Sequence, residues 1–448
     1  MIGARVKLRP APKPGVVLAI PEGPGDGPPP VEDCREEYGP DGLLLWLAID
    51  NAHSALEWEA VGARAVARAG TVARLGLDAR GMSPAAAVAW AAGAVLAAWR
   101  HKGATLEKLD LVVDLPARVE PLWQRTAAAV QGALYARELT ALPGNILHPA
   151  AFARRLLALR QYGLTVEVLG EKRLRKLGAG ALLAVGGAAT HGPKLVVLRW
   201  RGSMAAPPVA FVGKGITFDT GGVSVKPAEA MERMTSDMAG AAACAGAMLA
   251  LALRHSPAPA VAVLAIAENA LGAASYRPGD VLHTLAGRTV EVVDTDAEGR
   301  LVLADALHFA ASRLRPRAML DLATLTGAIG VALGRHHAGI FGNNLALQAH
   351  AQAAGAEVGE LLWPMPIADS HRADLESEIA DLKQCCAGRG QPDACHAAAF
   401  LREFAGSGPW AHLDIAAMRL DEHDRPTGFG ARLLDRLVAR HFEDPDHV

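Results

Sequence analysis

The 448-residue sequence has almost no charge excess: 45 Lys and Arg against 47 Asp and Glu leave a formal charge of −2. No surplus of either sign points to nucleic acid or an anionic membrane as a partner. Cysteine is scarce and odd in number. Cys34, Cys244, Cys385, Cys386 and Cys395 follow no disulfide framework or zinc-cage spacing, which predicts a reducing, cytoplasmic setting. The basic opening MIGARVKLRPAPKPG has no apolar h-region behind it, so no signal peptide is expected. Long apolar runs are also missing. The most membrane-like stretch, residues 85–99, is short for a span and opens with Ser83 and Pro84, an N-cap and a first-turn residue, so it predicts a buried helix. There is no internal repeat and no low-complexity tract beyond a general enrichment in alanine.

What is there suits a two-domain α/β protein, since the chain is long for one core. Residues 16–32 are rich in Pro and Gly and read as loop. Residues 43–49 and 109–115 read as buried strands with an alanine-rich helix between them, the rhythm of a small α/β domain over 1–115. A linking helix is expected over 116–135, and the β/α alternation restarts from 136 to the end. Apolar β-type runs occur at 165–169, 195–200, 209–213, 260–265, 289–293, 319–322 and 412–415. Helical stretches follow at 238–253, 301–312 and 397–404. Apolar strands alternating with helices predict a mainly parallel sheet covered by helices, with ligands at the carboxyl ends of its strands.

Two segments at such strand ends carry the polar residues. The first is GKGITFDTGG (213–222) with Lys226, Met234 and Asp237. Its glycines predict an irregular loop that bends tightly and lets a ligand approach, presenting Lys214, Asp219, Lys226 and Asp237. The second is VVDTDAEGR (292–300). In an extended chain Asp294, Asp296, Glu298 and Arg300 share one face. Like charges crowded on a half-buried strand repel unless something compensates them, and a metal ion does so most simply. Asp219, Asp237, Asp296 and Glu298 carry four negative charges, which two divalent cations cancel. Oxygen ligands with one nitrogen suit Zn²⁺ or Mn²⁺, and Lys214 could ligate only as the free amine. Each residue also has a plainer reading: Asp237 as an N-cap, Lys214 and Lys226 as surface lysines, DTGG as a turn, 294–300 as a solvated edge with an Asp–Arg pair.

GKGITFDTGG, Lys226, Asp237 and DTDAEGRL together resemble the M17 leucyl aminopeptidases, whose signature reads Asn-Thr-Asp-Ala-Glu-Gly-Arg-Leu. ARELTALPGNILHP (136–149), ALLAVGG (181–187), DLATLTGA (321–328), AGIFGNN (338–344) and WAHLDIA (410–416) resemble family segments in order and spacing. The resemblance implies a dinuclear aminopeptidase that releases an N-terminal residue, apolar and leucine-like, from peptides with a free N-terminus. One metal is implied at Lys214, Asp219, Asp237 and Glu298, the other at Asp219, Asp296 and Glu298, with a hydroxide bridging the pair. Lys226 and Arg300 match the residues treated as catalytic: Lys226 polarises the scissile carbonyl, and Arg300 holds a bicarbonate ion that shuttles a proton. Met234, Thr324 and Gly327 align with the pocket for the substrate's first side chain, and Leu325 with a residue whose carbonyl contacts the substrate. A homo-hexamer of two trimers follows by the same analogy.

Two departures from the family pattern stand out. Asp294 replaces the usual Asn and is expected to face away from the metals. The stretch QCCAGRGQPDACHAAAFL (384–401) replaces a glycine-rich segment containing Ile and Thr. Cys385, Cys386, Cys395 and His396 suggest a third metal, but their spacing fits no zinc motif, and cysteines packed in a loop are the expectation. The competing functions are a same-fold dipeptidase with shifted, cysteinylglycine-type selectivity, and a non-catalytic scaffold or DNA-binding regulator. A near-neutral charge and a full ligand set weigh against the last.

Overall fold

The computed structural model describes residues 3–22, 34–40, 42–49, 54–101, 106–388 and 390–444. They form two compact units, Met1–Leu134 and Tyr135–Val448. The boundary in the chain falls within the helix Pro116–Thr140.

The N-terminal unit is built on a six-stranded sheet in the order Arg5–Arg9, Lys108–Val112, Arg74–Asp78, Val17–Glu22, Gly42–Ala48, Cys34–Gly39. All neighbours are parallel except the last pair. The loop expected over 16–32 is corrected in part: Val17–Glu22 is an interior strand pairing on both sides, and 23–33 lie outside the described residues. The Pro and Gly that suggested a loop are concentrated after Pro21, and the VLAI before them is ordinary strand sequence. The helix Ala55–Ala69, not anticipated, begins with a Ser54/Glu57 capping box. The alanine-rich segment is a buried helix, Pro84–Ala98, capped by Ser83.

The larger unit contains an eight-stranded sheet ordered Leu362–Pro364, Ala338–Gly342, Trp410–Asp414, Ala318–Ala323, Val209–Asp219, Ala260–Asn269, Lys194–Trp200, Thr165–Leu169. Its four central strands are parallel, and antiparallel pairings occur only towards the flanks. The fold is α/β with a parallel-centred sheet. The interior strand Val209–Asp219 packs on both faces. Ala210 and Val212 share a core cluster with Leu301, Val302 and Leu303, while Gly213 meets the helix Ala239–Leu253.

That helix, with the preceding 3-10 turn, gives an apolar stretch Met231–Leu253 long enough to cross a membrane, but 94% of its most apolar window is buried inside the protein. It is a core helix, and it is more membrane-like than the 85–99 segment singled out above. Several elements went unanticipated, among them the strands Ala338–Gly342 and Leu362–Pro364 and the helices Leu345–Val358 and Ala431–His441.

Candidate metal and catalytic site

The strand Val209–Asp219 runs six residues past the expected end at 213, which corrects the first local reading. Lys214 and Asp219 belong to the strand itself. The glycines early in the motif serve packing here: a Cβ on Gly213 would lie 2.5 Å from the Ala241 Cα and 2.9 Å from its nitrogen. Only a bare backbone lets the helix come that close. The turn begins after Asp219. Gly221 adopts φ +84°, and a Cβ there would meet the Ser224 carbonyl at 2.4 Å and the Asp296 carboxylate at 3.1 Å.

The second segment also differs from its reading. The strand Thr289–Glu291 is short, residues 294–297 form a turn, and Glu298 opens the helix Glu298–Phe309. The acids therefore do not share a face by strand alternation. The turn is held by Asp294, whose carboxylate accepts from the Asp296 N–H at 2.9 Å. Gln384 clamps it further, donating to the Asp294 carbonyl at 2.7 Å and accepting from the Val293 N–H at 2.7 Å.

These two segments converge. One carboxylate oxygen from each of Asp219, Asp296 and Glu298 lies within 4.8 Å of the others. Lys214 is buried, with its ammonium 2.8 Å from Glu298, 2.9 Å from Asp237 and 2.9 Å from the Thr324 carbonyl. Lys226, one-fifth exposed, pairs with Asp219 at 2.9 Å and with Asp296. Asp237 does not cap the following helix. Its Oδ1 accepts from the Thr324 hydroxyl at 2.7 Å, and Met238 occupies the N-cap position without a side-chain bond. Asp219 Oδ1 accepts from the Gly221 N–H at 2.9 Å and from Asn269 at 2.8 Å.

The electrostatics match crowded acids in a dry place. Burial, reinforced by the Asp219 charge, pushes the Glu298 carboxyl up to about 8 and the Asp296 carboxyl up to about 6, against the pull of the lysines. Burial alone would lower Lys214 and Lys226, yet the surrounding carboxylates hold both above the usual ammonium range. Glu298 Oε2 is buried with no hydrogen-bond partner, while Glu298 Oε1 and Asp296 Oδ1 meet only the Lys214 and Lys226 ammonium groups. Buried acceptors of this kind are rare unless something else occupies their lone pairs. An oxygen-rich donor set with spare lone pairs fits divalent cations.

The catalytic-domain model of the cytosol aminopeptidase family matches residues 134–435. The chain belongs to that family. Among its relatives, a probable cytosol aminopeptidase of Nitrobacter winogradskyi is 48% identical over 321 residues, 70% of this chain and 64% of that protein. One from Caulobacter vibrioides is 44% identical over 392 residues, covering 83% and 78%. The match thus spans just under two thirds of the first relative's length. Among solved structures, the bottromycin maturation enzyme BotP in complex with Mn superposes with a TM-score of 0.86 at 32% identity, covering 94% of this chain and 98% of that one.

Within this family fold, the remaining predicted residues lie at different removes from the carboxylates. Thr324 bonds Asp237 and Lys214 directly. Leu325 reaches the same spot, because a Cβ on Gly299 would meet both its Cδ1 and the Lys214 ammonium. Met234 sits half-buried in the short 3-10 helix Met231–Ser236, just before Asp237, and Gly327 is exposed at the start of the helix Gly327–Leu333. Arg300, one short step along the helix from Glu298, is buried. It donates to the Gln384 carbonyl at 3.0 Å and to Asp393 at 2.7 Å.

Sequence reasoning missed the supports. Asn269, Thr295 and Tyr276 tie the two segments together: Asn269 bridges Asp219 and the Thr295 carbonyl, which also accepts from Tyr276. The available signal was Asn269 ending the apolar run AVAVLAIAEN at the same sheet edge as Asp219, its register partner. The Cys385, Cys386, Cys395 and His396 segment adds no second cluster among the described residues. His396 instead pairs with Asp374 at 3.0 Å, and Cys386 contacts the Asp374 carbonyl.

Proposed function

We propose that this chain is a dinuclear metal-dependent aminopeptidase that removes an apolar, leucine-like residue from the N-terminus of peptides. The observation that carries this reading is the convergence of Asp219, Asp296 and Glu298, with Glu298 Oε2 buried and without a hydrogen-bond partner. In this reading Lys214, Asp219, Asp237 and Glu298 hold one cation, Asp219, Asp296 and Glu298 hold the other, and the unit from Tyr135 onward is the catalytic domain. Bound cations would activate a water molecule as the nucleophile and polarise the scissile carbonyl. Zn²⁺ and Mn²⁺ both suit the donors, and the Mn complex of BotP favours Mn²⁺.

The chain's own groups supply the rest. Lys226 is the partly exposed cation of the pair, placed to donate to a developing oxyanion. Lys214 must give up its proton to ligate. While only carboxylates surround it the proton is held, so proton loss would accompany cation entry. Thr324 orients Asp237 through its hydroxyl. Met234, Thr324 and Gly327 line the side-chain pocket in this proposal, and the Leu325 carbonyl contacts the substrate near the reacting centre. A cytoplasmic location and a homo-hexameric assembly complete it, on the strength of the family relationship.

The test is hydrolysis of leucine amide by metal-stripped protein, titrated back with Mn²⁺ or Zn²⁺. Activity returning at about two ions per chain is the expected result for a two-metal site. No hydrolysis with both ions bound would overturn the reading.

A further inference from the structure

The family resemblance implies a bicarbonate ion at Arg300, but the guanidinium already holds an anion. Nη2 donates to Asp393 Oδ1 at 2.7 Å and Nη1 to the Gln384 carbonyl at 3.0 Å. A guanidinium offers an oxyanion two edges with parallel donors: Nη1 with Nη2, and Nε with Nη2. Both edges include Nη2, one of whose N–H groups Asp393 takes, and Nε is the guanidinium nitrogen without a partner. A bicarbonate on either edge would press a second anion against Asp393, at a guanidinium whose single charge Asp393 already balances.

The chemistry explains why a carboxylate sits there. The Arg300 side chain is 2% exposed and cannot lose its proton, so an unpaired charge at this depth would be costly. Asp393 is 40% exposed and opens the ten-residue helix Asp393–Arg402, where an acid in the first turn is itself favoured. It lies in the 384–401 stretch, the part of the catalytic unit that departs from the family pattern. A carboxylate fixed to the chain is present at an effective concentration no dissolved ion matches.

We propose that Asp393 is a positioning residue for the aminopeptidase reaction. It is a chain-borne carboxylate that orients Arg300 in place of a diffusible oxyanion, so this site needs no bicarbonate. The proposal rests on reading Arg300 as part of the aminopeptidase site.

The test uses the full Mn²⁺-loaded chain with leucine amide, in bicarbonate-depleted buffer with and without added sodium bicarbonate, ionic strength matched by chloride. Wild-type kcat should not respond. Asp393→Ala should lower kcat about tenfold, with little change in KM, as expected for loss of one charge-assisted partner, and bicarbonate should restore most of the loss. Asp393→Asn, whose amide still fills the position, should lose rate without rescue. Melting of the same proteins gives a readout independent of turnover: bicarbonate should stabilise the Ala variant and not the wild type. Activation of the wild type, equal rescue of the Asn variant, or an Ala variant indifferent to bicarbonate in both rate and melting would each overturn the proposal. A wild type that hydrolyses nothing, with bicarbonate still stabilising only the Ala variant, would count against the aminopeptidase reading and leave Asp393's place beside Arg300 supported.

Discussion

Lys214→Met removes the cation buried between Glu298 and Asp237, at 2.8 and 2.9 Å, without opening much space. In metal-stripped protein this leaves buried carboxylates with one cation fewer. They can respond by taking up protons, which sets a ceiling on the cost. Burial already pushes both Glu298 and Asp237 up, and losing the ammonium pushes them further, so Asp237 serves to gauge the burden. Forcing an acid of ordinary value 3.8 to stay protonated costs about 4 kcal/mol at pH 7 and about 2 kcal/mol at pH 5. The sign follows from linkage. A carboxyl held above its unfolded value keeps its proton in the folded state only, so stability is lost as pH rises from the unfolded value towards the folded one. The metal-stripped variant should therefore melt on the order of 10 °C below wild type at pH 7, with the gap roughly halved at pH 5. Adding Mn²⁺ should raise the melting temperature of the variant itself, because a cation again faces the acids. Calorimetry at the two pH values, with and without Mn²⁺, measures all three effects. Equal melting of metal-stripped variant and wild type at pH 7 would refute the reasoning.

Lys226→Ala should lower kcat by about a hundredfold or more with folding intact, as loss of an oxyanion donor does, measured by steady-state hydrolysis of leucine amide; an unchanged kcat would refute that role. Asp296→Ala and Glu298→Ala should each reduce bound metal below the wild-type stoichiometry and abolish hydrolysis, measured by elemental analysis beside the activity assay; full activity in either would sink the ligand assignment. Gly213→Ala places a methyl 2.5 Å from the Ala241 Cα, where only backbone could yield. It should cost about 3 kcal/mol or more, visible as a lower denaturant midpoint, and should depress activity because Lys214 is the next residue.

The side chains that converge, Asp219, Asp237, Asp296 and Glu298 with Lys214 and Lys226, stood out in the sequence because their types and spacing are tied to chemistry. Acids crowded beside buried sequence call for compensation, and the apolar runs around them already spelled an α/β sheet. The manner of their meeting was not legible. The glycines at 213 and 215 looked like bends and proved to be close contacts, since a glycine's lack of a side chain serves both ends and only the neighbouring helix Ala239–Leu253 and strand Ala260–Asn269 decide between them. Asp296 and Glu298 looked like strand neighbours and are joined by a turn, which Asp294 and Gln384 hold from 90 residues apart. Flank strands such as Ala338–Gly342 were missed because their extended form depends on the strand beside them more than on their own composition. The partners of buried charge were furthest from view. Asn269 under Asp219 and Asp393 on Arg300 come from remote stretches of chain. Pattern in one dimension shows which groups must be neutralised; which group does it is settled only when the fold brings distant segments within hydrogen-bond reach.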